Sequence, residues 1–178
     1  LDLSENRLGG SIPAGVRNLT RLRHLDLSHN ALSGEVPAGL MEAGAPLDAL
    51  DLGYNALAAA DPAVAAFLNA RDPDWATTQT VAPGQVRVVR AYGDRAELGW
   101  TPIAYTGDAG YYQVAYASTP GGPYMVAGTT ASKSASGYVV SGLVPGGTYY
   151  FVVRTHTPAH DVQQNALWSG YSAEVSAT

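Results

Sequence analysis

The chain has 178 residues, of which 46% are hydrophobic and 14% charged, a composition that supports folded cores and excludes a disordered protein. Its net charge is −5 and its ten basic side chains form no stripe along the sequence, which argues against nucleic acid as a partner. The absence of cysteine excludes disulfides, thiol catalysis and cysteine–metal sites, and no apolar run reaches the roughly 18 residues that a membrane-spanning helix needs.

Three similar segments recur in the first part of the chain at steps of 24 and 25 residues. Residues 1–8, 25–32 and 50–57 each begin Leu-Asp-Leu, carry an asparagine at the sixth position and end in leucine. A proline follows five positions after each segment, at Pro13, Pro37 and Pro62. Such a period predicts a solenoid in which each repeat adds a short strand and buries its leucines against the next repeat.

The repeats resemble the plant-type leucine-rich repeat family, whose pattern is LxxLxxLxLSxNxLxGxIP. In the middle repeat the resemblance covers leucines 19, 22, 25, 27 and 32 together with Gly34, Val36 and Pro37. The asparagines Asn6, Asn30 and Asn55 fall at one equivalent position, where a column of amides can bond backbone groups as the chain leaves each strand. We therefore predict a structural role for these three residues.

The third repeat departs from this pattern and predicts a terminal cap. Asp61-Pro62 is typical of a helix N-cap and first helical position, residues 63–70 favour a helix, and Asp72-Pro73 ends it. The expected boundaries are leucine-rich repeats with a C-terminal cap helix over residues 1–75 and a linker over 76–83. Because the chain starts inside a repeat, we expect further repeats upstream in a larger protein.

From residue 84 onward the hydrophobic period changes to two, which predicts a seven-strand, all-β sandwich over residues 84–178. Together with the first part this makes a mixed two-domain chain: a short solenoid of parallel strands with an irregular or helical convex side, followed by the sandwich. The predicted strands cover residues 85–91, 95–101, 111–118, 123–127, 137–142, 148–155 and 171–177.

Several positions of the second part resemble the fibronectin type III family. Trp100 precedes Pro102 as the buried tryptophan of the second strand does, and residues 143–153 follow the L-x-P-G-T-x-Y-x-F-x-V signature through Leu143, Pro145 and Tyr149. The resemblance implies that Tyr149 is the corner tyrosine, whose hydroxyl bonds to backbone upstream.

Residues 168–172, Trp-Ser-Gly-Tyr-Ser, also resemble the WSxWS box of cytokine-receptor domains, in which aromatic rings interleave with arginines. Arg154 is the arginine that could interleave with these rings. A common type III ending is the preferred interpretation.

Candidate contact residues lie on the expected concave face of the repeats. Glu5, His29 and Tyr54 occupy one variable position in three successive repeats, and His24 lies on the second strand. We predict that these four residues contact a ligand. No motif for a catalytic, cofactor or metal site is present, so none is expected.

The repeat array and the lack of an evident reactive group favour a non-catalytic module for binding or adhesion, with a protein or glycan ligand and no insertion into a membrane. The resemblance to both families implies an extracellular or cell-surface setting. The alternatives are an accessory or spacer region of a larger secreted enzyme and a structural stalk. The combination of the two families in an alanine-rich chain without cysteine favours a bacterial surface or secreted protein.

Overall fold

A computed structural model describes residues 1–42 and 47–178. These residues form two compact units. The first comprises Leu1–Thr80 together with Pro158–Leu167, and the second comprises Val81–Thr157 and Trp168–Thr178. The division therefore differs from the expected boundaries in two places, since residues 76–80 and 158–167 both pack with the repeats.

The strands of the first unit pair in parallel, as the repeat period predicts, but they form two narrow sheets because each repeat contributes two strands and not one. One sheet contains β1 (Gly9–Gly10), β3 (Ala31–Glu35) and β5 (Ala56–Ala58). The other pairs β2 (His24–Asp26) with β4 (Ala49–Asp51), and Asp2 bridges to Asp26 at its edge. A 3₁₀ turn at Ala14–Asn18 and a short helix, α1 (Gly39–Glu42), lie between the strands of successive repeats.

A helix and an indole close the C-terminal end of this core. Helix α2 (Pro62–Asn69) begins at Asp61, whose carboxylate accepts the Ala63 N–H at 2.8 Å, and it buries Val64 and Leu68. Trp75 is only 5% exposed, packs in the same core and donates from Nε1 to Asn69 Oδ1 at 2.9 Å. The cap that the degraded third repeat predicts is therefore extended by a tryptophan beyond the helix.

Gln79 extends the column of buried side-chain amides beyond the third repeat. Its side chain is 1% exposed, accepts the Leu57 N–H at 2.9 Å and donates to the Leu52 carbonyl at 2.9 Å. Asn55 makes the same kinds of bond one repeat earlier, with the Leu32 N–H at 3.0 Å and with carbonyls that include Leu27 and Leu52. Residues 76–80 pack with the repeats because this glutamine takes the role of an asparagine.

The sandwich consists of two antiparallel sheets. The strands are β6 (Gly84–Ala91), β7 (Arg95–Thr101), β8 (Tyr111–Ala117), β9 (Met125–Thr129), β10 (Gly137–Ser141), β11 (Tyr149–Thr157), β12 (Leu167–Trp168) and β13 (Val175–Ala177). Residues 84–178, all of which the structure describes, thus hold eight strands, one more than predicted, because the two-residue β12 precedes the last strand. One sheet orders the strands β10-β7-β6, and the other orders them β12-β11-β8-β9 with β13 also paired to β11.

Aromatic rings organise the core between these sheets. Trp100 is 2% exposed, donates from Nε1 to the Ala135 carbonyl at 2.8 Å and meets Tyr112 edge-on at 5.4 Å between ring centroids. The Tyr149 hydroxyl accepts the Val144 N–H at 3.0 Å, five residues upstream. Leu143 is buried beside this turn, and Pro145 approaches the turn that holds Gly93.

A buried ion pair lies in the second unit. The side chains of Lys133 and Asp108 have no exposed surface and form a short contact between Nζ and Oδ2. The ammonium also lies 3.0 Å from Thr157 Oγ1 and 4.4 Å from the centroid of the Tyr105 ring. Asp108 accepts the Gly110 N–H at 2.6 Å, so both charges of the pair have further polar partners.

Candidate functional site

Each repeat leaves its strand through a residue in the left-handed conformation. Glu5, His29 and Tyr54 have φ values of 54°, 56° and 55°. A residue other than glycine pays roughly 1–2 kcal/mol for this conformation. We call residues 4–6, 28–30 and 53–55 the strand-exit turns. The predicted contact residues Glu5, His29 and Tyr54 therefore lie at these turns, after the strands and before the asparagines.

The asparagines hold the turns in place. Asn30 donates to the carbonyls of Leu3, Leu27 and Ser28 at 2.8, 3.1 and 3.0 Å and accepts the Leu8 N–H at 2.9 Å. It has no exposed surface. Asn6, in the first repeat, is exposed and donates to the carbonyls within its own turn. An unpaired buried amide or carbonyl is costly, so this network explains why the strained conformation persists.

The segment 158–167, here called the strap segment, reaches the strand-exit turns through two amide side chains. Gln163 is 1% exposed and donates from Nε2 to the carbonyls of Asn30 at 3.1 Å and Tyr54 at 2.5 Å. Asn165 is 9% exposed and donates from Nδ2 to the carbonyls of Asn6 at 2.8 Å and His29 at 3.3 Å. Both side chains therefore bind repeats that precede them by more than 100 residues.

A tight turn forms the tip of the strap segment. The backbone groups of His160 and Gln163 bond each other in both directions, at 2.7 and 2.9 Å, and Asp161 and Val162 lie between them. The Val162 carbonyl makes a short contact with Nδ1 of His29. The tip is thereby fixed against the second strand-exit turn.

A polar cavity of about 220 Å³ lies where the tip meets the repeats, and we call it the recognition pocket. Its lining comprises Glu5, His29, Asp161, Val162 and Gln164. Within residues 1–42 and 47–178, the carboxylates of Glu5 and Asp161 make no hydrogen bond and no ion pair. The pocket therefore combines two uncommitted carboxylates with an imidazole and an amide.

The environment of His29 fixes its tautomer when the ring is neutral. A carbonyl oxygen only accepts, so the contact with Val162 requires the proton on Nδ1 and leaves Nε2 as an acceptor. The ring also stacks on Tyr54, with 4.4 Å between centroids and 15° between the planes. This stack joins the second and third repeats beside the pocket.

His24 lies apart from the other three candidates. It is exposed on β2 and lines a separate, open cavity of about 310 Å³ with Asp2, Asp26 and Asp51. These aspartates are already engaged, because each accepts the backbone N–H two residues later, at 2.9–3.0 Å. The Ser4 hydroxyl, which donates to Asp2 Oδ1 at 2.7 Å, and the Ser4 N–H together hold the pKa of Asp2 below its usual value.

Several aspartates lie near Asp72, which follows helix α2. Asp72 accepts the Leu52 N–H at 2.8 Å. Burial raises the pKa of Asp72, and the nearby charges of Asp51, Asp74 and Asp26 raise it further, although the bond from Leu52 opposes them. Among the described residues, no group of three or more histidine, aspartate or glutamate side chains is arranged to hold a metal ion.

Sequence reasoning did not identify Gln79, Gln163 or Asn165 as structural residues. For Gln79 a signal exists, since it lies 24 residues after Asn55 and so continues the period of the asparagines. Gln163 and Asn165 follow a strand of the sandwich in the chain, and nothing in their local sequence points to the repeats. Their partners are backbone carbonyls, which leave no trace in the residue types of the repeats.

The second unit carries a partly exposed row of stacked rings. The Arg154 guanidinium lies 4.2 Å from the centroid of Trp168 and 5.0 Å from that of Tyr171. His156 continues the row at 4.4 Å from Trp168 and stands 4.8 Å from Tyr111. The arginine is thus interleaved with the aromatic residues of the Trp-Ser-Gly-Tyr-Ser segment, because Arg154 by itself contacts both of its rings.

Comparison with known proteins identifies both kinds of module. The fibronectin type III domain family matches residues 81–166, and the leucine-rich repeat family matches residues 1–19 and 21–42. No curated protein matches the chain in sequence.

Solved structures are similar to this chain over somewhat more than half of its length. A Fn3-like protein from Clostridium thermocellum is 23% identical over 55% of this chain and 90% of its own, with a TM-score of 0.43. Titin module A71 from human cardiac muscle is 22% identical over 54% and 88% of the two chains, with a TM-score of 0.43. A β-1,2-glucanase from Parabacteroides distasonis is 23% identical over 57% of this chain and 13% of its own, with a TM-score of 0.44.

The chain therefore carries leucine-rich repeats at its N-terminal end, followed by a fibronectin type III domain. The predicted fold class, a short region of parallel strands followed by an antiparallel β-sandwich, is confirmed. Modules of these two types typically serve binding or adhesion, and neither is catalytic. In the described part of the chain, no helix has the length and apolar character that crossing a membrane demands.

Proposed function

We propose that the chain is a non-catalytic recognition module of a secreted or cell-surface protein and that its recognition pocket binds a protein or glycan partner. The observation that carries this proposal is the pair of uncommitted carboxylates, Glu5 and Asp161, around a cavity beside His29. A leucine-rich repeat array suits this role because it offers an extended surface built from successive repeats.

The chemistry of the pocket defines the group that it would accept. Carboxylates accept hydrogen bonds only, and the fixed tautomer of neutral His29 adds another acceptor. The partner group therefore brings donors: an ammonium or guanidinium group of a protein, or the hydroxyl groups of a sugar.

The charge distribution favours a cationic protein group over a neutral sugar. The first compact unit carries eleven carboxylate side chains against five arginines. Such a field attracts a basic partner and raises its association rate at low ionic strength. A neutral sugar gains nothing from this field.

Binding to arrays of basic peptides and of neutral glycans tests the proposal. The test variant Glu5→Gln/Asp161→Asn removes both charges while conserving shape. The matched control Glu42→Gln removes an exposed charge of the same unit away from the pocket.

A ligand whose binding weakens in the double variant and survives in the control supports the pocket. A ligand that binds wild type and double variant equally rules the pocket out as its site. Detection of the full-length protein on intact cells or in the medium tests the extracellular setting, and its confinement to the cytosol contradicts it.

A further inference from the structure

The strap segment binds the repeats through one face only. Side chains 163, 165 and 167 are buried, whereas residues 164 and 166 between them are exposed. This alternation is that of an extended chain lying on a surface. The contacts of the strap segment with the repeats are therefore set by a few side chains.

The two buried amides connect the repeats in pairs. Asn165 bonds carbonyls of the first and second strand-exit turns, at Asn6 and His29. Gln163 bonds carbonyls of the second and third, at Asn30 and Tyr54. Three successive repeats are thus joined by side chains that belong to none of them.

The chemistry of these bonds requires an amide. A row of carbonyls offers acceptors only, so the group that satisfies it must donate. The Gln163 amide has a fixed orientation, because its Oε1 accepts from Asn165 N at 2.8 Å and from Asn165 Nδ2 at 3.0 Å. Its NH₂ group is thereby committed to the carbonyls, and a carboxylate in its place would face them with a negative oxygen.

We propose that the strap segment is a closing element for the recognition pocket. Gln163 and Asn165 are its positioning residues: when their amides hold the three strand-exit turns, Asp161, Val162 and Gln164 complete the pocket around Glu5 and His29. When the strap segment opens, the carbonyls face water and the pocket loses three of its five lining residues. The pocket half of this proposal rests on the proposed function, whereas the closing bonds do not.

A linkage relation follows from this arrangement. A ligand that contacts both Glu5 and Asp161 binds the closed form alone, so its binding opposes opening of the strap segment. Conversely, a substitution that opens the strap segment lowers the affinity of the pocket without altering any group that touches the ligand.

Two positions of the strap segment provide a pair of variants with equal charge. Gln163→Glu and Ala166→Glu each add one negative charge to the strap segment, yet only the first replaces the donor that bonds the carbonyls, and Ala166 is exposed and lies outside the pocket lining. Hydrogen exchange of the full chain, measured by mass spectrometry, reports opening at residues 158–167 and at the strand-exit turns. Strands β8 and β11 serve as the internal reference.

We expect Gln163→Glu to speed exchange at the strap segment and the turns by about tenfold or more, because loss of paired buried groups lowers the local opening free energy. Ala166→Glu should exchange like the wild type. Equal exchange in the two variants would overturn the proposal. If Gln163→Glu instead unfolds the reference strands as well, Asn165→Ala replaces it, and wild-type exchange in that variant overturns the proposal equally.

Binding of a tetralysine peptide separates this proposal from the proposed function. If the wild type binds the peptide, Gln163→Glu should weaken binding by the factor by which it lowers the closed fraction measured by exchange, which is about tenfold where one molecule in ten stays closed. Unchanged affinity in a Gln163→Glu protein whose exchange shows a mostly open strap segment contradicts the closing role. If neither this peptide nor any member of the arrays binds the wild type, the proposed function fails, while the exchange measurement still decides whether the strap segment closes through its amides.

Discussion

Removal of Asp108 from the buried ion pair of the sandwich should destabilise the second unit strongly at neutral pH. In Asp108→Asn the Lys133 ammonium keeps Thr157 and the face of Tyr105 but loses its counter-charge. Breaking one partner of a buried pair costs about 3–5 kcal/mol. The structure provides no exposed surface through which water could reach the lysine side chain.

Proton release sets an upper limit on this cost. At pH 7 the buried lysine can become neutral by releasing its proton, which costs roughly 4.6 kcal/mol for a group with a pKa near 10.4. At pH 9 the same deprotonation costs only about 1.9 kcal/mol. Burial lowers the pKa of Lys133 even with Asp108 present, so the direction of this argument matches the native protein. The penalty of Asp108→Asn should therefore shrink markedly between pH 7 and pH 9.

Urea unfolding monitored through amide resonances of β8 and β11 measures this penalty for the second unit by itself. The control is Asp108→Asn/Lys133→Met, which removes both charges and should recover most of the loss, because an apolar side chain replaces the buried ion. A cost below 1 kcal/mol for Asp108→Asn at pH 7, or an equal cost at pH 9, would refute the reasoning.

Three further predictions concern single side chains. Gln79→Ala should destabilise the first unit by about 1–3 kcal/mol in urea unfolding, since it leaves the Leu57 N–H without its acceptor; a loss under 1 kcal/mol contradicts the role of this residue. Asp72→Asn should raise the melting temperature of the first unit at pH 7 and change it little near pH 3, because the raised pKa means that the native carboxylate is disfavoured; a lower melting temperature at pH 7 argues against this. Burial lowers the pKa of His156, so the native state takes up its proton less readily than the unfolded chain, and stability should fall as pH drops below about 6.5; His156→Phe should flatten this dependence, and an unchanged slope contradicts it.

The repeats and the sandwich could be predicted because their signals are periodic. The 24- and 25-residue steps place Leu25 and Leu50 at equivalent positions, and both are buried. The alternation around Trp100 and along β11 likewise fixes which residues face the core of the sandwich. Burial of apolar side chains leaves a regular trace in the sequence, and the fold class depends on little else.

The candidate site was only partly accessible from the sequence. Glu5, His29 and Tyr54 attracted attention as one variable position, but their left-handed backbone has no signature in residues as different as these. The contacts of Gln163 and Asn165 with the repeats could not be predicted, because their hydrogen bonds go to backbone carbonyls, which every residue type carries. Contacts between a side chain and a distant backbone couple no pair of side chains, so no pattern of residue types reveals them.

The side-chain amides of Asn30, Asn55 and Gln79 each accept a hydrogen bond from the preceding repeat, so these bonds run in one direction along the array. The Asn30 amide completes the first repeat by accepting the Leu8 N–H, Asn55 does so for Leu32, and Gln79 for Leu57. Each repeat is therefore finished by the one that follows it. Insertion or deletion of one whole repeat of 24 or 25 residues inside the array preserves every such hydrogen bond between neighbouring repeats. An insertion or deletion that is not a whole number of repeats breaks one of these bonds. Gene duplication in whole repeats is thus the route by which such a surface can change its length without losing a bond, and the terminal glutamine is the element that must stay last.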